Sequence, residues 1–212
     1  MRLSVFDLDH TLLTVNSSYH FGAYLYRQNF FSFPSLLASL FYYARHKLFG
    51  LSIQKLHQKT FQLLFKGASA EELQTYASIF FEQHLTGKFY QPALQRLREA
   101  QKNGDYTLIL SSSPDFLVKP IAEWLGVDAW QATIYAVDCG RMSLLESILD
   151  GQDKANYLVK LAQEMGVSSS SITVYSDSYL DLPILKMAGR AIGVVPDFYL
   201  KRICHEKGWE II

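Results

Sequence analysis

The stretch Phe6-Asp7-Leu8-Asp9-His10-Thr11-Leu12-Leu13 follows the apolar run Leu3–Phe6 near the beginning of the chain. In a β-strand, residues two apart point to the same side, so Asp7 and Asp9 emerge together if Arg2–Phe6 is a buried strand. Two carboxylates this close repel each other and tend to stay protonated unless they share a cation. Mg²⁺ prefers oxygen ligands, so the stretch predicts a magnesium site where the first strand ends.

Taken alone, an Asp-x-Asp pair is as often part of a solvated turn as part of a cation site. Its position between two apolar segments argues against the solvated turn here. Asp7-x-Asp9-x-Thr11, with apolar residues on both sides, resembles the first motif of the haloacid dehalogenase-like (HAD) phosphatases. In that family the first aspartate attacks phosphorus, and the second acts as an acid and then as a base. The resemblance implies these two roles for Asp7 and Asp9, and it implies that Thr11 helps to orient the reacting groups and bind phosphate.

The bulk properties exclude several classes of protein. A length of 212 residues suits one domain of ordinary size, or a core with a modest insert. The 20 basic and 20 acidic residues balance, so no polyanionic partner such as nucleic acid is indicated. Cys139 and Cys204 lie far apart without the spacing of a metal site, which predicts a reducing compartment and no disulfide. No charged and apolar leader precedes the first strand, so the cytoplasm is the expected location.

A segment without acidic residues separates the first motif from the rest of the chain. Positions 10–70 contain no Asp or Glu, but they contain six basic residues and 13 of the 30 aromatic residues. The apolar spacing predicts helices at Ser18–Gln28, Pro34–Leu48, Ile53–Phe65 and Ala70–His84. We therefore predict an inserted, all-helical cap domain of residues 14–89, with residues 1–13 and 90–212 forming an α/β core.

The apolar stretch Phe30–Phe49 raises the question of a membrane. Polar and charged residues interrupt it, so it lacks the uninterrupted run of about 18 apolar residues that a transmembrane helix needs. A basic, aromatic and acid-free helix pair is still a candidate for peripheral contact with anionic lipid headgroups. We favour a different interpretation. In it, the aromatic side chains form the core of the insert, and the lysines and arginines form its solvated face.

A second motif follows the run Tyr106–Leu110, which has the length and apolarity of a strand buried in a parallel sheet. Ser111-Ser112-Ser113-Pro114 comes next, and a helical pattern follows. A hydroxyl between a strand end and a helix N-terminus is well placed to hold a phosphate. The arrangement resembles the second motif of the family, which implies that Ser111 binds the transferring phosphate and that the Ser112 N–H is a further contact. The choice between Ser111 and Ser112 stays open.

The third motif is a lysine near the start of a helix predicted from Gly151 to Met165. A lysine in the first turn of a helix lies at the positive end of the helix dipole, which is electrostatically unfavourable. Lys154 stands where the family keeps its third-motif lysine. The resemblance implies that it neutralises the phosphate and the carboxylate of the nucleophile, which otherwise repel each other.

The fourth motif follows the predicted strand Ile172–Tyr175. The stretch Ser176-Asp177-Ser178-Tyr179-Leu180-Asp181 resembles the family's pattern of two aspartates four apart, although Ser176 replaces the usual glycine. The resemblance implies that Asp177 binds Mg²⁺ directly. Asp181 either binds the metal as well or holds Lys154 from outside the set of metal ligands.

The four motifs in this order resemble the phosphoserine-phosphatase-like branch of the family, subfamily IB. That resemblance implies a Rossmann-like parallel sheet flanked by helices, with a cap of the C1 type. The implied activity is Mg²⁺-dependent hydrolysis of a small anionic phosphomonoester through an aspartyl-phosphate, with Mg²⁺ held by Asp7, the Asp9 carbonyl and Asp177. Phosphoserine is not the expected substrate. Phosphoserine phosphatases hold the substrate amine with a glutamate where this chain has Asn16.

Other functions stay open at this stage. Some relatives in this branch act on lipid phosphates such as phosphatidylglycerophosphate, and they share a fourth motif like Tyr175–Ser178. A lipid phosphate phosphatase at the membrane surface is therefore an alternative, and sugar, polyol and histidinol phosphates are others. A phosphotransferase or a non-catalytic binding module is the alternative from a different class. His10, between the two aspartates, is expected to pack away from the site.

Overall fold

The computed structural model describes residues 1–50 and 52–212. Its strands are β1 (Leu3–Phe6), β2 (Tyr106–Pro114), β3 (Ala129–Asp138), β4 (Arg141–Ser147), β5 (Ile172–Ser176), β6 (Arg190–Gly193) and β7 (Glu210–Ile211). They form one sheet in the order β4-β3-β2-β1-β5-β6-β7. Neighbouring strands are parallel except β3 and β4, which form an antiparallel hairpin. The predicted α/β, Rossmann-like sheet is confirmed.

Helices lie between the strands and in the insert. They are α1 (Ser17–Arg27), α2 (Phe33–Phe49), α3 (Ile53–Thr60), α4 (Ala70–Phe80), α5 (Gln91–Lys102), α6 (Asp115–Leu125), α7 (Gly151–Glu164), α8 (Leu182–Leu185) and α9 (Phe198–Lys207). The four helices predicted in the insert are present. The third and fourth continue as π-helical turns at Phe61–Phe65 and Phe81–Leu85.

Strand β1 lies at the centre of the sheet. Its four residues are buried, and it pairs with β2 on one side and β5 on the other. The chain passes from β1 to β2 and β3 and then crosses back to β5, so the strand order reverses beside β1. In open α/β sheets, ligands bind in the crevice at the carboxyl ends of the strands at such a point. Asp7, the residue after β1, lies at that crevice.

The insert begins and ends at one point of the core. Leu13 and Phe89 form an isolated antiparallel bridge, and the Thr14 N–H donates to the Lys88 carbonyl at 2.8 Å. Side chains from both parts then pack into one apolar cluster, in which the rings of Phe65 and Phe116 lie 5.7 Å apart. The division into a core of residues 1–13 and 90–212 and a cap of residues 14–89 stays a prediction.

The aromatic residues of the insert do not all form its core. Phe21, Phe61 and Phe65 are buried as expected. The expectation is wrong for α2, where Phe33 and Phe41 are 54% and 59% exposed. In the part of the chain that the structure describes, no helix has the length and apolarity needed to cross a membrane.

Two strands differ in length from the prediction. β2 continues through the three serines to Pro114, because Pro114 pairs with Thr133 of β3 beyond an irregularity in the register. The last predicted strand, Ala191–Val195, is observed as Arg190–Gly193. A short edge strand, β7, was not predicted. It pairs with β6 through Glu210 and Ile211.

Candidate active site

A tight turn follows β1 and carries the first motif. The Asp7 N–H donates to the Tyr175 carbonyl at 3.0 Å, and the turn is closed by the Leu13 N–H, which donates to the Leu8 carbonyl at 2.9 Å. His10 lies in this turn with a φ of 59°. It is exposed rather than packed away, so the expectation for this residue is wrong.

Lys154 joins the first, third and fourth motifs. Its Nζ donates to Asp7 Oδ1 at 2.6 Å and to Asp181 Oδ2 at 2.9 Å, and its side chain is only 4% exposed. Asp181 Oδ2 also accepts from the Ser176 hydroxyl at 2.8 Å. Burial by itself would lower the pKa of Lys154, but the charges of Asp181 and Asp7 raise it above its usual range. The lysine is therefore held as a cation between two carboxylates.

The start of α7 brings Lys154 to this position. Asp150 caps the helix, and its Oδ1 accepts from the N–H groups of Gln152 and Asp153 at 2.9 and 3.1 Å. Gly151 allows the helix to touch the fourth motif, because a Cβ atom at this residue would lie 1.9 Å from the Leu180 carbonyl oxygen. The third and fourth motifs therefore meet through backbone contact, which fixes the distance between Lys154 and its partners.

Thr11 connects the first motif to the fourth. Its hydroxyl donates to Asp177 Oδ1 at 3.2 Å and accepts from the Asp177 N–H at 3.0 Å, and the residue is fully buried. Burial and the charge of Asp181 raise the pKa of Asp177 to about 6, while the charge of His10 opposes this rise. Thr11 thus holds the Asp177 loop in place, and its predicted contact with phosphate stays a prediction.

The Asp9 carboxylate is held on both sides. Oδ1 accepts from the backbone N–H of Ser17, the first residue of α1, at 2.8 Å. Oδ2 accepts from the Ser113 hydroxyl at 2.7 Å. Ser113 also contacts the hydroxyl of Ser18 at 2.7 Å. Sequence reasoning missed both Ser17 and Ser113. The extension of β2 through the serine run places Ser113 next to Asp9, and no local pattern signals that extension.

The two candidates for the second-motif residue differ in their surroundings. The hydroxyl of Ser112 donates to the Leu149 carbonyl at 2.7 Å, in the connection between β4 and α7. Ser111 is buried, and its hydroxyl oxygen accepts from the Ser113 N–H at 3.1 Å. The Ser111 hydroxyl proton is therefore not used in that contact, which favours Ser111 as the residue that donates to a phosphate.

Negative charge exceeds positive charge at the centre of the site. Burial raises the pKa of Asp7 well above its ordinary value, Lys154 opposes that rise, and Asp181 and Asp177 add to it. Lys154 contacts two of these three carboxylates, Asp7 and Asp181, and a further cation would relieve the remaining repulsion. Among the described residues, no three His, Cys, Asp or Glu side chains are arranged to hold a metal ion. A cation would need backbone and water oxygens besides Asp7 and Asp177, a donor set that suits Mg²⁺.

The site lies at the switch point of a mostly parallel, Rossmann-like sheet and combines carboxylates with a buried lysine. The chain matches the family model of the haloacid dehalogenase-like hydrolases over residues 4–186, and it belongs to that family. The predicted family is confirmed, and so is the prediction that the protein is an enzyme of the phosphatase kind.

Individual relatives agree with this assignment. A phosphoserine phosphatase of Mycobacterium tuberculosis is 29% identical over 214 residues, which cover 97% of this chain and 68% of that protein. A histidinol-phosphatase of Neisseria meningitidis is 24% identical over 227 residues, which cover 100% of this chain and 98% of that protein. The crystal structure of a protein of unknown function from Bordetella pertussis is 25% identical, with a TM-score of 0.89 over 100% of this chain and 97% of that one.

Proposed function

We propose that this protein hydrolyses a small anionic phosphomonoester with the aid of Mg²⁺, using Asp7 as the nucleophile and Asp9 as the acid and base. The observation that carries the proposal is the contact of Lys154 Nζ with Asp7 at 2.6 Å and with Asp181 at 2.9 Å. A buried cation beside the nucleophile offsets the repulsion between a carboxylate and the phosphate that it attacks.

The reaction has two halves. Asp7 attacks phosphorus in line, the bond from phosphorus to the leaving oxygen breaks, and Asp9 donates a proton to that oxygen. Asp9 then takes a proton from water as the water attacks the phosphorus of the aspartyl-phosphate. Inorganic phosphate leaves and the Asp7 carboxylate is restored. Lys154 and the Ser111 hydroxyl hold the phosphoryl oxygens during both halves.

Mg²⁺ would be held by the carboxylates of Asp7 and Asp177 and by the backbone carbonyl of Asp9. The bound ion supplies positive charge to a phosphoryl oxygen and keeps Asp7 ionised. The raised pKa of Asp177 supports this assignment, because burial and the Asp181 charge make an ionised Asp177 unfavourable without a cation. Asp181 already accepts from both Lys154 and Ser176. We therefore assign it to positioning Lys154 rather than to binding the metal.

Asn16 argues against phosphoserine as the substrate. Its side-chain oxygen accepts from the Tyr19 N–H at 2.8 Å and caps α1, so this atom has a structural partner. No acidic residue occurs between Asp9 and Glu71, and the amine of phosphoserine would lack a carboxylate from that part of the insert. The names of the relatives make phosphoserine and histidinol phosphate the first esters to compare, and we expect phosphoserine to be a poor substrate.

The test is the turnover of para-nitrophenyl phosphate by the whole chain with and without Mg²⁺. We expect metal-dependent turnover that Asp7→Asn abolishes. Asp153→Asn is the matched control, because Asp153 is an exposed aspartate beside Lys154 and its replacement should leave turnover unchanged. Absence of turnover with any divalent metal, or full activity of Asp7→Asn, would overturn the proposal. A panel of phosphate esters under the same conditions then identifies the substrate class.

A further inference from the structure

Helix α2 presents an apolar face to the outside of the molecule. Five side chains define this apolar stripe: Phe33, Leu37, Leu40, Phe41 and Leu48. They fall within one side of an α-helix, since positions three, four and seven to eight residues apart share a face. Their exposed fractions run from 38% to 74%. Exposed apolar side chains that share one helix face are typical of a contact with a partner or a membrane.

Exposed basic side chains occur on α2 and on the helices next to it. Four exposed cations lie on or beside the helices of this part of the insert: Arg27, Arg45, Lys55 and Lys59. Within residues 1–50 and 52–212, none of the four forms an ion pair with a carboxylate. The Arg45 guanidinium lies over the Phe41 ring, 5.9 Å from its centroid. Charge and apolar surface therefore occur together on the same helix.

We propose that the apolar stripe docks on the surface of a bilayer that contains anionic lipids. An amphipathic helix lies in the membrane interface with its apolar face in the headgroup–acyl boundary, and flanking lysines and arginines add attraction to anionic headgroups. The absence of any Asp or Glu from positions 10–70 removes the repulsion that acidic side chains would cause. This docking goes beyond the proposed phosphatase activity and does not depend on it.

A second copy of the chain fits this surface less well. In a two-fold symmetric dimer, each stripe would face its own copy, so the same patch meets itself. Each copy would then bring Arg45 to the interface, and positions 10–70 of the partner copy offer no acidic residue to pair with it. Charge complementarity thus favours an anionic bilayer over self-association.

The helices around the apolar stripe contact elements of the candidate active site. Tyr43 of α2 contacts Tyr19 of α1 with ring centroids 6.4 Å apart, and α1 begins at Ser17, which holds Asp9. Gln54 of α3 donates to Asp150, the cap of the helix that carries Lys154, at 3.1 Å. A bilayer bound at the apolar stripe would therefore lie beside the helices that frame the site.

Flotation of the full chain with lipid vesicles tests the docking. One set of vesicles contains phosphatidylcholine alone and the other contains phosphatidylcholine mixed with phosphatidylglycerol. We expect the protein to float with the mixed vesicles, less with phosphatidylcholine alone, and less again at raised salt. Leu37→Glu combined with Phe41→Glu should reduce the bound fraction at least about tenfold, because two apolar side chains lose their burial in the membrane.

Leu144→Glu is the matched control, because Leu144 of β4 is 52% exposed and Leu37 is 50% exposed. Circular dichroism confirms that each variant is folded. Lys55→Glu with Lys59→Glu keeps the stripe and should lower binding to the level seen with phosphatidylcholine alone. The proposal is overturned if wild-type protein stays unbound, if Leu144→Glu weakens binding as much as the stripe variant, or if the stripe variant converts a dimer into a monomer in sedimentation.

Discussion

The hydroxyl of Ser113 donates a 2.7 Å hydrogen bond to Oδ2 of Asp9, across 104 residues of sequence. The Ser17 N–H holds the other carboxylate oxygen at 2.8 Å. Each carboxylate oxygen of Asp9 thus accepts one hydrogen bond, and the two bonds together fix its orientation. Ser113 is almost fully buried. Because an acid or base must be aimed at the atom whose proton it transfers, Ser113 is a positioning residue for Asp9 in the proposed reaction.

Ser113→Ala should therefore slow the hydrolysis of an alkyl phosphate such as glycerol phosphate by about tenfold. The loss should be smaller for para-nitrophenyl phosphate, because nitrophenolate leaves without help from an acid. The comparison uses kcat/KM for the two esters, because this ratio reports the half-reaction in which Asp9 acts as an acid and not the later hydrolysis that both esters share. Ser113→Thr keeps the hydroxyl and should recover part of the rate. Ser143→Ala, which removes another part-buried hydroxyl, should change neither value. An equal loss with both esters would contradict the role.

The two aspartates of the fourth motif should behave differently when replaced. Asp177→Asn removes a proposed metal ligand and should abolish the response to Mg²⁺. Asp181→Asn leaves the ligands in place but weakens the hold on Lys154, so it should reduce kcat by about 10- to 100-fold, as is typical for residues that support a ligand set. Titration of activity with Mg²⁺ separates the two effects. If Asp181→Asn lost its response to Mg²⁺ as fully as Asp177→Asn, the result would identify Asp181 as a metal ligand.

Lys154→Met should destabilise the fold strongly at neutral pH. It leaves Asp7 and Asp181 buried without their cation, and breaking such a pair costs about 3–5 kcal/mol. Urea unfolding should show this loss at pH 7.5 and a smaller loss at pH 5, because burial raises the pKa of Asp7 and protonation of that carboxylate removes one uncompensated charge. Lys160→Met on the same helix is the control. Its side chain is 77% exposed, so its replacement should have little effect. A pH-independent loss would point to packing instead.

Most of the framework could be predicted because it depends on local patterns. β1 and the residues that follow it are adjacent in sequence, so Asp7 is placed at a strand end without knowledge of the rest. The same holds for Asp177, which follows β5, whereas Lys154 is identified through the resemblance to the family's third motif. The predicted strands bring Asp7 and Asp177 to one edge, because the carboxyl ends of parallel strands meet there.

Other features depend on contacts that no local pattern carries. The continuation of β2 to Pro114 follows from pairing with Thr133, and only that pairing brings Ser113 to Asp9. The apolar stripe shows a different limit. Helical periodicity identifies an apolar face, but it does not say whether another element covers that face. The aromatic residues of α2 were therefore assigned to a core that they do not join.

Stability and metal binding should both depend on pH through Asp177. Its pKa in the folded protein is about 6, above the ordinary 3.8. Below 3.8 both folded and unfolded chains hold the proton, and between 3.8 and 6 the unfolded chain loses it first. This group alone therefore lowers the stability of the metal-free protein as the pH rises through that window, and the loss is complete above about 6.

Mg²⁺ needs the ionised carboxylate, so a proton competes with it. The rise in melting temperature on adding Mg²⁺ should be largest above pH 6 and should shrink as the pH falls below it. Asp177→Asn should make the Mg²⁺ effect small at every pH. A stabilisation by Mg²⁺ that is as large at pH 5 as at pH 7.5 would argue against Asp177 as a ligand.

Gly151 controls the approach of α7 to the fourth motif. A Cβ atom at this position would lie 1.9 Å from the backbone oxygen of Leu180, and backbone cannot move aside as a flexible side chain can. Gly151→Ala should push Lys154 away from Asp181. We expect a loss of about 1–3 kcal/mol in the free energy of unfolding, as for other overpacked sites, and a fall in kcat. At about 2–4 °C per kcal/mol for a chain of this size, thermal unfolding resolves the change.

Gly87→Ala is the control for this prediction, because no atom lies within 4 Å of a Cβ at that residue. It should leave both the melting temperature and kcat close to those of the wild type. If Gly151→Ala kept full activity and stability, the contact between α7 and Leu180 would not set the position of Lys154. Loss of stability with an unchanged kcat would mean that the helix yields elsewhere while the lysine keeps its place between Asp7 and Asp181.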